Sequence, residues 1–180
     1  MSLSLRGLLI GGGDGGGYNE NAGSSTNNAY TGFVYYGDRA RTAAAPQEIR
    51  AGVPTTILND GTLDYSKSYL SKDLANFNFL VANRFMPKTV GDTYLLRLTF
   101  RAMSAFSGNM ATVRLKAPDV MQQDTEDFLT NSGEESAFTF NYHVPCLQAF
   151  KDNGGLFEIT TDYDATLWGV GLLIIPVSRL

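Results

Sequence analysis

Leu156-Phe-Glu-Ile-Thr-Thr-Asp-Tyr-Asp-Ala-Thr-Leu-Trp-Gly-Val-Gly-Leu-Leu-Ile-Ile-Pro-Val-Ser178 is the stretch whose reading decides the fold. In its first half Phe157, Ile159 and Thr161 alternate with Glu158, Thr160 and Asp162, the two-residue period of a strand with one buried and one wet face. Asp162-Tyr-Asp-Ala165 reads as a turn. From Thr166 to Val177 the second half is apolar on both faces. Trp168, Val170, Leu172 and Ile174 share one face, and Leu167, Leu173, Ile175 and Val177 share the other. Such a strand must be covered on both sides, by its own core and by a second layer or another subunit. The segment therefore predicts a closing hairpin in a β-sandwich, with Trp168, Val170, Leu172 and Ile174 as the expected oligomer interface.

The upstream chain repeats the pattern. Tyr94, Leu96, Leu98 and Phe100 alternate with Arg97, Thr99 and Arg101; Ala111, Val113 and Leu115 with Thr112, Arg114 and Lys116. Phe138, Phe140, Tyr142 and Val144 form another such run, and Phe77 to Phe85 a weaker one. Ser107-Gly-Asn109 reads as a tight hairpin loop, and Asn59-Asp-Gly-Thr62 as a turn. Leu63 to Asn76 reads as a loop with one helical turn, and Pro118 to Glu135 as a polar, acidic loop. In all, about eight strands at sandwich spacing are expected, with no long helix.

The N-terminal part differs. Ser2 to Ile10 carries Leu3, Leu5, Leu8, Leu9 and Ile10, and Gly11 to Gly17 then gives up nearly all backbone restraint. Tyr18 to Asn28 is small and polar, too poor in apolar surface to offset the entropy of ordering. Residues 1–45 are thus expected to be an arm and linker, and 46–180 the sandwich. The leucines, Ile10 and Tyr18 are the expected anchors of that arm on a larger surface.

Composition limits the chemistry. The 180 residues carry 43% apolar and 12% aromatic side chains, 19 glycines and a net charge of −4. The 14 scattered Lys and Arg make no basic field for nucleic acid. No stretch reaches the ~18 apolar residues of a membrane span. The single Cys146 allows no internal disulfide. Gly11-x-Gly13-x-x-Gly16 matches the dinucleotide fingerprint only formally, because no helix or βαβ unit follows it. His143, the only histidine, and Cys146 invite a dyad, but His143 is expected to face outward and Cys146 to be a small buried residue. Asp124, Glu126 and Asp127, or Asp162 and Asp164, lack the spacing of a calcium loop. No catalytic residues, metal or cofactor are expected, and a hydrolase on this scaffold is the least favoured reading.

The alternating run Ala137-Phe-Thr-Phe-Asn-Tyr142, the loop Phe150-Lys-Asp-Asn-Gly-Gly155, the segment Leu156 to Val177 and Gln47 to Asn59 together resemble a known group. They are similar to the TNF-like jelly-roll modules of tailed-bacteriophage virion proteins: head-decoration or cement proteins, head fibres and tail-fibre knobs. The resemblance covers roughly residues 47–180. It implies an all-β, TNF-like jelly-roll antiparallel sandwich with an extended glycine-rich N-terminal arm, associating as a homotrimer. It implies a non-enzymatic protein on the capsid surface, assembled in the host cytoplasm, whose partner is the major capsid protein or another virion protein. The alternative it carries is a receptor- or glycan-binding fibre knob, with specificity in the 63–76 and 118–135 loops.

Overall fold

The structure is a computed structural model that describes residues 32–63, 70–117, 121–129 and 132–177. The expected arm residues Leu3, Leu5, Leu8, Leu9, Ile10 and Tyr18 lie outside the described residues.

Two antiparallel sheets face each other. The first has the order β10–β7–β12–β1–β4 and is built from β10 (Ser136–Pro145), β7 (Thr93–Ser104), β12 (Ala165–Val177), β1 (Val34–Gly37) and β4 (Thr62–Leu63); β2 (Gln47–Ile49) also pairs with β12. The second has the order β5–β6–β11–β8–β9. It comprises β5 (Leu80–Val81), β6 (Arg84–Phe85), β11 (Gly155–Thr161), β8 (Asn109–Ala117) and β9 (Met121–Leu129), and β3 (Thr55–Thr56) pairs with β11. Two short helices, α1 (Lys72–Ala75) and α2 (Gln148–Asn153), fill connections. Neither is long and apolar enough to cross a membrane.

The alternation read from sequence sets the faces. Tyr94, Leu96, Leu98 and Phe100 of β7 and Phe138, Phe140, Tyr142 and Val144 of β10 point into the space between the sheets, against Val113 and Leu115 of β8 and Phe157 and Ile159 of β11. Phe100 stacks on Phe138 and Phe140 at 5.3 and 5.7 Å between ring centroids. Each fully buried side chain of this size contributes ~1.5–3 kcal/mol, and these define one contiguous core.

Connectivity departs from the expectation in four places. Ser107–Asn109 is not a hairpin loop: β7 and β8 lie in opposite sheets, and the loop turns a corner between them. Likewise β11 and β12 do not form a hairpin. β11 pairs with β8, β3 and β6, whereas β12 pairs with β7, β1 and β2. Within Pro118–Glu135, residues 121–129 form β9 along β8, from Asn109↔Leu129 to Ala117↔Met121. Its sequence is too polar to show a two-residue hydrophobic period, and a charged strand suits the edge of a sheet. The Phe77–Phe85 run is also split: Ala82 and Asn83, at φ 49° and 64°, make a two-residue turn between β5 and β6. Consecutive long strands thus cross from sheet to sheet, apart from the β8–β9 pair. The chain folds as a jelly roll.

The expected arm and linker, residues 1–45, contains β1, which pairs with β12 from Val34↔Ile174 to Gly37↔Gly171. Val34 and Tyr36 are core residues. The sandwich therefore reaches back to Val34 rather than starting at residue 46.

The face assignment of the closing strand also changes. Trp168 pairs with Arg101 and Gly171 with Thr99, so Gly169 and Val170 together oppose Phe100. This is a β-bulge, and Gly169 takes the left-handed conformation (φ 62°). The extra residue reverses the alternation. Leu167, Val170, Leu172 and Ile174 enter the core, while Trp168 is buried outside it, on the other face. The four residues expected on one shared face are thus divided by the bulge. Its backbone groups are met by the loop between β1 and β2: Asp38 N–H donates to Val170 O (2.7 Å) and Gly169 N–H to Arg41 O (3.2 Å).

Replacing Gly169 by Val should destabilise the fold by roughly 1–2 kcal/mol, the cost of a left-handed backbone for a side-chain-bearing residue, with Asn at that position losing less. Urea unfolding of the two variants, with unchanged far-UV circular dichroism, checks this. A second expectation concerns the core phenols. Burial pushes Tyr36 and Tyr94 above the ordinary tyrosine range and Tyr142 up to about 12. Because the folded state disfavours their ionisation, their contribution to stability is complete below pH ~10 and is lost as pH rises through the folded values. Absorbance titration at alkaline pH should show these three ionising late and together with unfolding.

Candidate functional site

The outward residues of β10, β7 and β12 form one continuous strand-borne surface. Alternation turns Leu95, Arg97 and Thr99 of β7 outward, with Asn141 and His143 of β10. Beyond the bulge the outward residues of β12 are Gly171, Leu173, Ile175 and Val177. The registers Leu95↔His143, Leu95↔Ile175 and Arg97↔Leu173 place them side by side. Leu95, Arg97, Asn141, His143, Leu173 and Ile175 line a shallow groove of ≈ 250 Å³, much more apolar than polar. Leu95 is 42% exposed.

The polar groups at its margin are ordered. Arg97 Nε donates to Asn141 Oδ1 across the strand pair, at 3.2 Å. At Gly171 a side chain would not fit: a Cβ would overlap the Tyr35 hydroxyl and lie 2.7 Å from Thr99 Oγ1. Glycine there lets the Tyr35 ring lie across the sheet. Thr99 Oγ1 donates to Gly171 O at 3.4 Å.

The other residues singled out from sequence are scattered. His143 is exposed on the outer face, while Cys146, on the inward side of the same strand end, is fully buried. The two are on opposite sides of the sheet, and no dyad forms. Asp124 lies on β9, where it receives both Nε (2.7 Å) and Nη2 (2.9 Å) of Arg114. That pairing raises the Arg114 guanidinium above its usual value. Asp162 and Asp164 sit on the β11–β12 corner, and Asp164 Oδ1 accepts the Ala51 N–H at 2.8 Å. Among the described residues no group of three or more His, Cys, Asp and Glu is placed to hold a metal ion.

A separate polar node joins the start of the sandwich to the β3–β4 turn. Asp38, with its side chain buried, is paired with Arg41 at 2.6 Å. Asp60 accepts the backbone N–H of Arg39 (3.1 Å), Ala40 (3.1 Å) and Thr62 (2.9 Å). Desolvation alone would raise the Asp60 carboxyl, but these donors and the Thr62 hydroxyl bring it below the usual value. The node closes a loop and presents no unsatisfied ligand group.

Of the expected interface residues, Val170, Leu172 and Ile174 belong to the core of the single chain and Trp168 is buried beside the bulge. A contact through the closing strand therefore has to use its opposite face, Leu173, Ile175 and Val177. Leu95 was missed in the sequence. Its signal is the Leu95-Leu96 doublet, where an apolar residue occupies an outward position of an otherwise alternating strand.

No protein-family model matches the chain, and no curated protein matches it. Among solved structures it is similar to the PRD1 vertex protein P5, with 12% identity over 82% of this chain and 73% of that one and a TM-score of 0.48. It is also similar to Eiger TNF from S. frugiperda, with 8% identity, 84% and 95% coverage and a TM-score of 0.48. The CBM22-1–GH10 modules of Clostridium thermocellum xylanase 10B share 11% identity over 84% of this chain and 28% of that one, with a TM-score of 0.33.

The close approach at Gly171 generates a direct expectation for stability. Gly171→Val should lower the melting temperature, because the new side chain must displace both Tyr35 and Thr99. Gly171→Val combined with Tyr35→Ala should recover part of the loss. Thermal denaturation of the single and double variants checks this coupling.

Proposed function

We propose that the chain is a structural virion protein, a capsid decoration or cement module that assembles as a homotrimer and holds the assembled head through its N-terminal arm. The observation that carries the reading is the apolar strip on the outer face of the long sheet. Leu95, Leu173, Ile175 and Val177 are presented side by side on rigid strands rather than on loops. Each of these side chains is still partly open to water, and covering that remainder adds apolar area to a contact. Contributed by every protomer, that area opposes the entropy of association. The resemblance of residues 47–180 to phage jelly-roll modules supports the same reading.

In this role the sandwich is the bridging body, and the segment before β1 is the tether. Leu3, Leu5, Leu8, Leu9, Ile10 and Tyr18 supply its apolar anchors, with the glycines allowing close approach to the partner backbone. The partner is the major capsid protein or another virion protein, and the site of action is the capsid surface, reached during assembly in the host cytoplasm. A protein that binds the assembled shell and not its separated subunits stabilises the shell by mass action. No catalysis is needed.

Two measurements test the reading. Sedimentation of the full chain at micromolar concentration should give a trimer, and Leu95→Asp should shift it to monomer with unchanged circular dichroism; a wild-type monomer overturns the oligomer. Deleting residues 1–28 should leave the melting temperature unchanged while abolishing co-sedimentation with empty capsids of the encoding virus. Undiminished binding by the truncated chain would move the anchor into the sandwich.

A further inference from the structure

Several of the large apolar side chains left exposed lie on turns and strand ends that meet at one end of the sandwich: Val53, Met103, Phe106 and Tyr163. The turn of Val53 is joined to this end by Gly52 N–H donating to Thr161 O at 2.7 Å. Phe106, on the β7–β8 corner, and Tyr163, on the β11–β12 corner, are 53% and 47% exposed. Their rings stack on each other at 4.7 Å with 28° between planes.

The pair is held from below by a buried polar network. The Asn109 side chain, fully buried, donates to Tyr163 O (3.0 Å) and to Ser104 Oγ (2.9 Å) and accepts the Tyr163 N–H (3.0 Å). Ser104 Oγ donates to Asp164 O (3.1 Å) and accepts the Phe106 N–H (3.2 Å). Both corners are therefore locked on either side of the rings, which presents two half-exposed aromatics in a fixed arrangement. Rigid aromatic anchors of this kind lose little entropy on binding.

The surroundings are acidic. Asp162 and Asp164 flank Tyr163, and Glu48 with Asp164 and Met103 lines an adjacent groove of ≈ 300 Å³. Arg50 is the exposed cation of the neighbouring turn, and Arg101 is paired with Glu135. The described chain enters the sandwich at Gly32 and leaves it at Val177, both at the end opposite this tip.

We propose that this tip docks a basic polypeptide segment, an arginine or lysine side chain lying on the Phe106–Tyr163 pair with its charge met by Asp162, Asp164 and Glu48. Aromatic faces attract such cations, and neighbouring carboxylates strengthen the contact. A neutral saccharide would use the rings but leave the excess of negative charge unanswered. The proposal goes beyond the capsid role and is read on the isolated protein, so a failure of the arm to bind capsids leaves it untouched.

The test is a titration of the ¹⁵N-labelled full chain with the peptide acetyl-Gly-Arg-Gly-Arg-Gly-amide, beside its citrulline counterpart and maltohexaose. The arginine peptide should shift the amides of Phe106, Tyr163 and Asp164. The citrulline peptide, Phe106→Ala and Tyr163→Ala should each weaken binding about fivefold. Asp162→Asn should weaken it and flatten its salt dependence without touching the rings, which keeps the test sound if a ring variant is unstable. Shifts centred elsewhere, equal binding of the citrulline peptide, maltohexaose binding in place of the peptide, or no binding at millimolar peptide would each overturn the proposal.

Discussion

The long antiparallel pairing of β12 with β7 is the interaction on which the other elements depend. It runs from Ala165↔Ser104 to Val177↔Thr93 and is interrupted once, at the bulge between Trp168 and Gly171. On its far flank β12 accepts β1 beyond the bulge and β2 before it, so the interruption coincides with the change of partner. Enclosure on both edges satisfies the backbone of β12 along its length and leaves Leu173, Ile175 and Val177 on the outer face. The bulge then decides which face meets the core. Without the extra residue, Leu172 and Ile174 would turn outward, and Leu173 and Ile175 would take their core positions.

Where the backbone ladders stop, buried polar side chains continue them. Gln47 on β2 donates through Nε2 to Thr56 O at 2.7 Å and accepts the Leu58 N–H at 3.1 Å, linking a strand of one sheet to the chain segment of the other. Asn59 donates to Tyr36 O (3.2 Å) and Val170 O (3.4 Å) and accepts the Gly61 N–H (2.9 Å). Tyr36 in turn donates from its hydroxyl to Asn78 Oδ1 and accepts the Phe79 N–H, each at 3.1 Å. Asn109 does the same for the two corners at the far end. Leaving such a group unpaired costs about 1–3 kcal/mol. These residues therefore specify how the corners turn, whereas the apolar core specifies only that the sheets face each other.

The fold also separates its surfaces. The outer face of the long sheet is strand-borne and apolar at the end where the described chain enters and leaves. The opposite end is built from corners, with aromatic rings and carboxylates held over a polar lock. β9 places a bidentate Arg114–Asp124 pair along the edge of the second sheet, a charged border that resists pairing with another strand. The apolar sheet face and the loop-borne tip lie at different places on the sandwich.

Much of this was legible in the residues themselves. The strands Thr93–Ser104, Asn109–Ala117, Ser136–Pro145 and Gly155–Thr161 and their inward faces followed from alternation, because side-chain direction in a strand has a period of two and is a local property. The β-sandwich followed from the number and spacing of those strands, and the jelly-roll class from the resemblance of residues 47–180. β9 was hidden because a polar edge strand carries no hydrophobic period. The bulge was hidden because one glycine in Trp168-Gly-Val-Gly171 shifts the parity only if the partner strand does not shift with it. Pairing was hidden for a more general reason. Backbone hydrogen bonds are the same for every strand, so Ser107-Gly-Asn109 and Asp162-Tyr-Asp164 suit a hairpin and an intersheet corner equally well. The sequence by itself determined which residues form strands and which side of each is apolar. Only the tertiary structure decided which strand lies beside which, because that choice is made by the joint packing of all the apolar faces and by the buried Asn109, Asn59 and Gln47 that close the corners between them.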